Sequence, residues 1–194
     1  MKTFLFNPFA KYSERILLIF GLIVTITGGY IAYFYNAAFD GAIDLHFVAE
    51  IGAFQTAVFL LIDIVTIVLL LFLAGKIINR KTRFVDILST ALIARIPLYV
   101  LPFFNAGNYL FNLTSGMATK LLEGKPDAII GPDMIFILLF AMCTMAFVVW
   151  FFALLWNGFK IATNAKGIQP VVMFILAVLL AEIISKSILL NLYP

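Results

Sequence analysis

The chain has 194 residues, of which 64% are apolar or aromatic and 12% charged, with a net charge of +3 and a mean hydropathy of +1.11. Soluble domains of this size hold about half apolar and about a quarter charged residues, so a soluble domain is excluded and an integral membrane protein is expected. One cysteine, Cys143, excludes an internal disulfide and a Cys-based zinc site, and one histidine, His46, excludes His-pair and His-triad metal chemistry. The basic residues are scattered through short loops rather than gathered in a patch, which argues against a nucleic-acid partner.

Crossing a bilayer takes roughly 20 apolar helical residues, and five segments qualify: Ile16–Asn36, Phe54–Ile78, Ile87–Asn105, Asp133–Asn157 and Pro170–Tyr193. The first apolar run is too long for the hydrophobic stretch of a signal peptide, so it reads as an uncleaved span. Together the five predict an all-α five-helix bundle, a single transmembrane domain over 1–194. Lysines and arginines outside the span interiors alternate between the two sides. Lys2, Lys11, Arg15, Lys76, Arg80, Lys81, Arg83, Lys160 and Lys166 face one side, and only Lys120 and Lys125, offset by Glu123 and Asp127, face the other. Positive charge stays with the cytoplasm, which predicts a cytoplasmic N-terminus and an external C-terminus.

The third span carries Arg95, Pro97 and Pro102. Proline interrupts the helical hydrogen-bond ladder, so a Pro-kinked span is expected, with a re-entrant segment as the alternative. Between the first two spans, Phe39, Ile43, Phe47 and Ile51 recur every four residues while Asp40, Asp44 and Glu50 fall elsewhere. That spacing predicts a short interfacial helix in the outer loop, and Leu113, Met117 and Leu121 suggest a second.

Candidate site residues are few. Asp40, Asp44 and His46 lie within seven residues of one another, but helical geometry turns His46 away from the two acids, so a polar loop face is expected rather than a metal site. No Gly-rich phosphate loop, His-Glu-x-x-His or Gly-x-Ser-x-Gly occurs, so no enzyme and no cofactor are expected. Gly21, Thr25 and Gly29, and likewise Ala177, Ala181 and Ser185, stand four apart, a spacing that lets helix backbones pack closely. At a rise of about 1.5 Å per residue, Asp63, Arg95 and Glu182 fall about 13–16 Å in from the outer ends of three different spans, in one layer, with Lys186 a turn beyond Glu182. Ionised groups at that depth favour pairing. Arg95 is therefore expected to contact Asp63, Glu182 or both, and Lys186 to share Glu182 along its helix.

Two stretches carry a family likeness. Phe84-Val85-Asp86-Ile87-Leu88 followed by Ala91, Ala94, Arg95, Ile96 and Pro97 resembles the third-span pattern of Yip1-domain membrane proteins. Trp156-Asn157-Gly158-Phe159-Lys160 with Ala165-Lys166-Gly167 resembles their Trp-led helix end and following loop. The resemblance covers about 54–193 and implies a non-enzymatic, multi-pass protein of bacterial inner-membrane type. Eukaryotic members bind small GTPases through a long cytoplasmic N-terminal segment. About 15 residues stand in its place here, so that activity is not implied. The reading is a scaffolding, membrane-organising or partner-binding protein of the lipid bilayer, associating with itself or with another membrane protein. The alternative is a small transporter or channel using the Asp63, Arg95, Glu182 and Lys186 cluster, with an ion or small-molecule ligand that the sequence does not name.

Overall fold

The computed structural model describes residues 5–124 and 131–193. Lys2, Lys125 and Asp127 lie outside the described residues. Among the described residues, five helical segments are long and apolar enough to cross a membrane: Glu14–Phe34 (α1), Ala53–Ile78 (α2), the composite Phe84–Leu122, Pro132–Thr163 (α5) and Gln169–Leu192 (α6). Their starts follow local chemistry. Proline occupies the first turn of both α5 and α6, where its missing N–H costs nothing. The α5 helix runs past the expected Asn157 to Thr163, so Trp156 is an interior helical residue and not a helix end. It stops where Asn164 takes a left-handed φ of 50°.

The third segment is not one α-helix. Regular α-helix holds over Phe84–Ala94 (α3), then a 3-10 run covers Leu98–Asn108, and α-helix resumes over Tyr109–Leu122 (α4). The backbone leaves helical geometry altogether at Asn105, Ala106 and Gly107. Asparagines close this break. Asn105 Nδ2 donates to the Tyr35 carbonyl at 2.8 Å, and its Oδ1 accepts the Phe111 N–H at 2.9 Å. Asn36 Nδ2 donates to Asn108 Oδ1 at 2.9 Å, fastening the end of α1 to the same turn. The α4 helix includes the second stretch for which a helix was expected, and Leu121 and Leu122 there are exposed.

The α3 helix is central, with α1 and α5 packed against it, while α2 and α6 run along each other. The core is built from Leu60, Ile67, Leu71, Ile87, Phe151 and Phe159, among others. Near the start of the chain, Trp150 Nε1 and Asn157 Nδ2 on α5 donate to the carbonyls of Leu5 and Phe6 at 2.7 and 2.8 Å. The α5 helix touches α6 only sparingly.

The segment 37–53 corrects the expected interfacial helix. Ala37–Ala38 (β1) and His46–Phe47 (β2) form a two-residue antiparallel pair, Ala37 opposite Phe47 and Ala38 opposite His46. The residues between them dip into the bundle, where Phe39 and Ala42 are buried. Their backbone groups bond to side chains from distant helices, which removes the advantage of a local helix.

Candidate functional site

Arg95 caps the C-terminal end of α3 and is completely buried, as is Asp63 of α2. Arg95 Nη2 donates to Asp63 Oδ2 at 3.2 Å, and Nη1 donates to the Ala42 carbonyl at 3.0 Å. Its guanidinium lies 5.3 Å from the Phe39 ring centre, and Phe39 meets Tyr99 edge-on at 5.7 Å. A cation over an aromatic face is further stabilised where water is excluded. Among the described residues, Asp63 Oδ1 and Arg95 Nε have no hydrogen-bond partner, so the pair is incompletely satisfied although fully enclosed.

The dipping loop is held from α6 as well. Ser185 Oγ accepts the Ala42 N–H at 3.0 Å and Glu182 Oε2 accepts the Ile43 N–H at 2.8 Å. Gly41 makes this seat possible, because a Cβ there would lie 2.4 Å from Glu182 Oε1. Two helices, α3 and α6, thus grip the backbone of Ala42 and Ile43 through Arg95, Ser185 and Glu182.

Of the expected contacts, Arg95–Asp63 forms. Glu182 goes to the Ile43 backbone instead of to Arg95, and the expected Lys186–Glu182 sharing is corrected. The Lys186 ammonium pairs with Asp44 from the loop, because the loop carries that carboxylate to α6. Asp44 also accepts the Leu45 N–H at 2.9 Å.

Asp40 and His46 come together without Asp44: His46 Nδ1 lies 3.0 Å from Asp40 Oδ1. Beside the Asp40 carboxylate, the His46 imidazole is held above its ordinary value, burial acting the other way. For Asp40, burial is the largest influence and pushes upward, but the hydrogen bond and charge of His46, together with the Lys186 charge and a backbone hydrogen bond, hold the carboxyl below its ordinary value. Among the described residues, no group of three His, Cys, Asp or Glu side chains is arranged to hold a metal ion.

The small residues mark packing faces, with one shift in register. Gly21 abuts Leu92 and Gly29 abuts Leu60, and a Cβ at either would lie 2.8 or 2.9 Å from the neighbouring side chain. Thr25 lies at the limit of hydrogen bonding from Tyr99 Oη, 3.5 Å away. The tightest approach is at Gly28, where a Cβ would lie 2.3 Å from the Tyr99 ring. Ala177, Ala181 and Ser185 are all buried.

Residues the sequence reading passed over include Ala42, whose importance lies in its backbone, and Gly28 and Gly41. A lone glycine between two acids, Asp40 and Asp44 in this loop, was the available sign that another chain segment comes close. Comparison of the chain with protein-family models, with curated proteins and with solved structures finds no significant match.

Proposed function

We propose that the protein is a non-enzymatic multi-pass component of a bacterial inner membrane, similar in kind to Yip1-domain proteins, that organises the bilayer or holds a membrane partner. In this reading the N-terminus is cytoplasmic and the C-terminus external, and Pro97 and Pro102 bend the third span. The supporting observation is the sealing of the Arg95–Asp63 pair. Arg95 and Asp63 have no solvent exposure and are bonded to each other and to a loop backbone. An ion path would need water at such a pair, whereas a closed pair serves as a packing lock. The transport alternative draws on the unpartnered Asp63 Oδ1 and Arg95 Nε.

Flux assays separate the two readings. Proteoliposomes holding the full chain should show no proton or monovalent-cation flux above empty vesicles, and fluorescently labelled copies should associate in the bilayer. A flux abolished by Asp63→Asn would overturn the scaffold reading. Reporter fusions test the orientation: one placed after Lys81 should report cytoplasm, and one after Pro194 the exterior.

A further inference from the structure

Residues 5–13 form a strap against α5, which Trp150 and Asn157 hold through the Leu5 and Phe6 carbonyls. A cavity of about 390 Å³ lies between this strap, α1, α3 and α5. Its lining includes Tyr12, Ile16, Leu17, Ile93, Trp150 and Leu154 and is almost wholly hydrocarbon. Leu17, Ile93 and Leu154 are buried, whereas Ile16 is 56% exposed, so the cavity opens sideways along α1. Protein interiors close voids of this size. The Glu14–Arg83 ion pair sets the starts of α1 and α3 at one level. Ile16 lies just inside α1, while Ile93 lies nine positions beyond Phe84, about 13 Å deeper than the start of α3 at about 1.5 Å per residue. The cavity thus reaches from the end of the bundle towards its middle. Two cations stand at the shallow end. The Lys11 ammonium lies 5.4 Å from the centre of the Tyr12 ring, which lines the cavity, and Arg15 adjoins Ile16. Among the described residues, neither cation takes part in an ion pair. The Glu14 charge reaches Arg15, but its carboxylate is taken by Arg83.

We propose that this cavity takes an acyl chain of an acidic phospholipid, whose phosphate sits at Lys11 and Arg15. An ammonium and a guanidinium bring hydrogen-bond donors and no acceptor. A phosphate brings charged acceptor oxygens, so the two ends match in charge and in bonding capacity. The wall beyond the cations matches only hydrocarbon. A zwitterionic lipid would set a second cation against Lys11 and Arg15. An apolar helix of a second copy would leave both cations unanswered, and a free inorganic anion would leave the apolar wall uncovered. The site rests on the reading that the chain spans a membrane, and it is separate from the Arg95–Asp63 lock.

The chain has two tryptophans, and one of them, Trp150, lines the cavity. The other, Trp156, packs on Phe174 of α6. The test reconstitutes the full chain with Trp156→Phe into phosphatidylcholine vesicles and follows Trp150 fluorescence. Phosphatidylglycerol or phosphatidylcholine brominated on its acyl chains is added at rising mole fraction as the quencher. Brominated phosphatidylglycerol should reach half-maximal quenching at a mole fraction at least about tenfold lower than brominated phosphatidylcholine. Each basic residue near an acidic lipid is worth about fivefold, so Lys11→Gln and Arg15→Gln should each cut the preference by about that factor, and the double variant should remove it. Both side chains are exposed, so these variants leave the packing intact. The companion chain with Trp150→Phe reports from Trp156, which should be quenched without preference between the lipids. Equal quenching of Trp150 by the two lipids would overturn the site, as would the same preference at Trp156 or an undiminished preference in the double variant. Quenching of Trp156 but not of Trp150 would mean that protein covers the groove, and would overturn it too. Quenching of neither tryptophan by either lipid would reject the membrane reading itself, and the site with it.

Discussion

Arg95 Nη1 donates to the Ala42 carbonyl at 3.0 Å, so an arginine at the end of one helix ties down a loop 53 residues earlier in the chain. The contact gives Arg95 two roles, neutralising Asp63 and satisfying a backbone oxygen buried in the bundle.

Those roles can be separated by substitution. Removing one partner of a buried ion pair costs about 3–5 kcal/mol, since the other charge stays buried alone. Arg95→Met should therefore lower stability by that order. Adding Asp63→Asn should restore part of it, leaving a deficit of about 1–3 kcal/mol for the orphaned Ala42 carbonyl. Unfolding in mixed detergent micelles measures both. Equal stability of the single and double variants would remove the pair from the account.

Gly41 and Glu182 should behave as a coupled pair. A Cβ at Gly41 displaces the carboxylate, which then loses the Ile43 N–H. Gly41→Ala is expected to cost about 1–3 kcal/mol in the wild-type background. In a Glu182→Ala background the further cost should fall to near zero. Additive losses in the double-mutant cycle would mean that the two residues do not share this contact.

Among helical glycines, position decides the sign of an alanine substitution. Gly28→Ala drives a methyl into the Tyr99 ring and should destabilise by about 1–3 kcal/mol or more. Gly116, inside α4, has nothing within 4 Å of its would-be Cβ. There Gly116→Ala should stabilise the helix by about 0.5–1 kcal/mol. Thermal melts of the two variants, side by side, check the packing of α1 against the 3-10 segment.

The Asp40–His46 pair predicts a pH window. His46 is raised above its ordinary 6.5 in the folded protein, so its contribution is complete below that value and is lost as pH rises through the folded value. Asp40 is lowered from 3.8, so its contribution is present above 3.8 and is lost as pH falls through its folded value. The pair should stabilise the hairpin most between those two ordinary values, with Asp44 and Lys186 nearby adding opposite charges that His46 also feels. The protection of the Ala38 amide, measured against its intrinsic exchange rate, should fall in wild type as pH rises through the folded His46 value, and His46→Gln should remove that fall.

The long apolar helices were legible because long apolar runs have few alternatives, and the Arg95–Asp63 pair was legible because depth along a helix is simple arithmetic. The loop was not. Phe39, Ile43, Phe47 and Ile51 have helical spacing, but Ala42 and Ile43 bond through their backbones to Ser185, Glu182 and Arg95. Backbone groups carry no sequence signature, so a local pattern cannot register them. Lys186 was assigned to Glu182 for the same reason: neighbours along a helix are visible in the sequence, whereas Asp44, 142 residues away, is not.

The seat of that loop also orders biogenesis. Residues 39–44 leave the ribosome long before Arg95, and longer still before Glu182, Ser185 and Lys186. Until α6 has been made and has packed, the Ala42 and Ile43 amides lack their acceptors and Asp44 lacks its cation. Docking of the loop therefore reports that the last of these helices has been made and has packed, and a nascent chain stalled before α6 would keep residues 39–44 open to proteolysis.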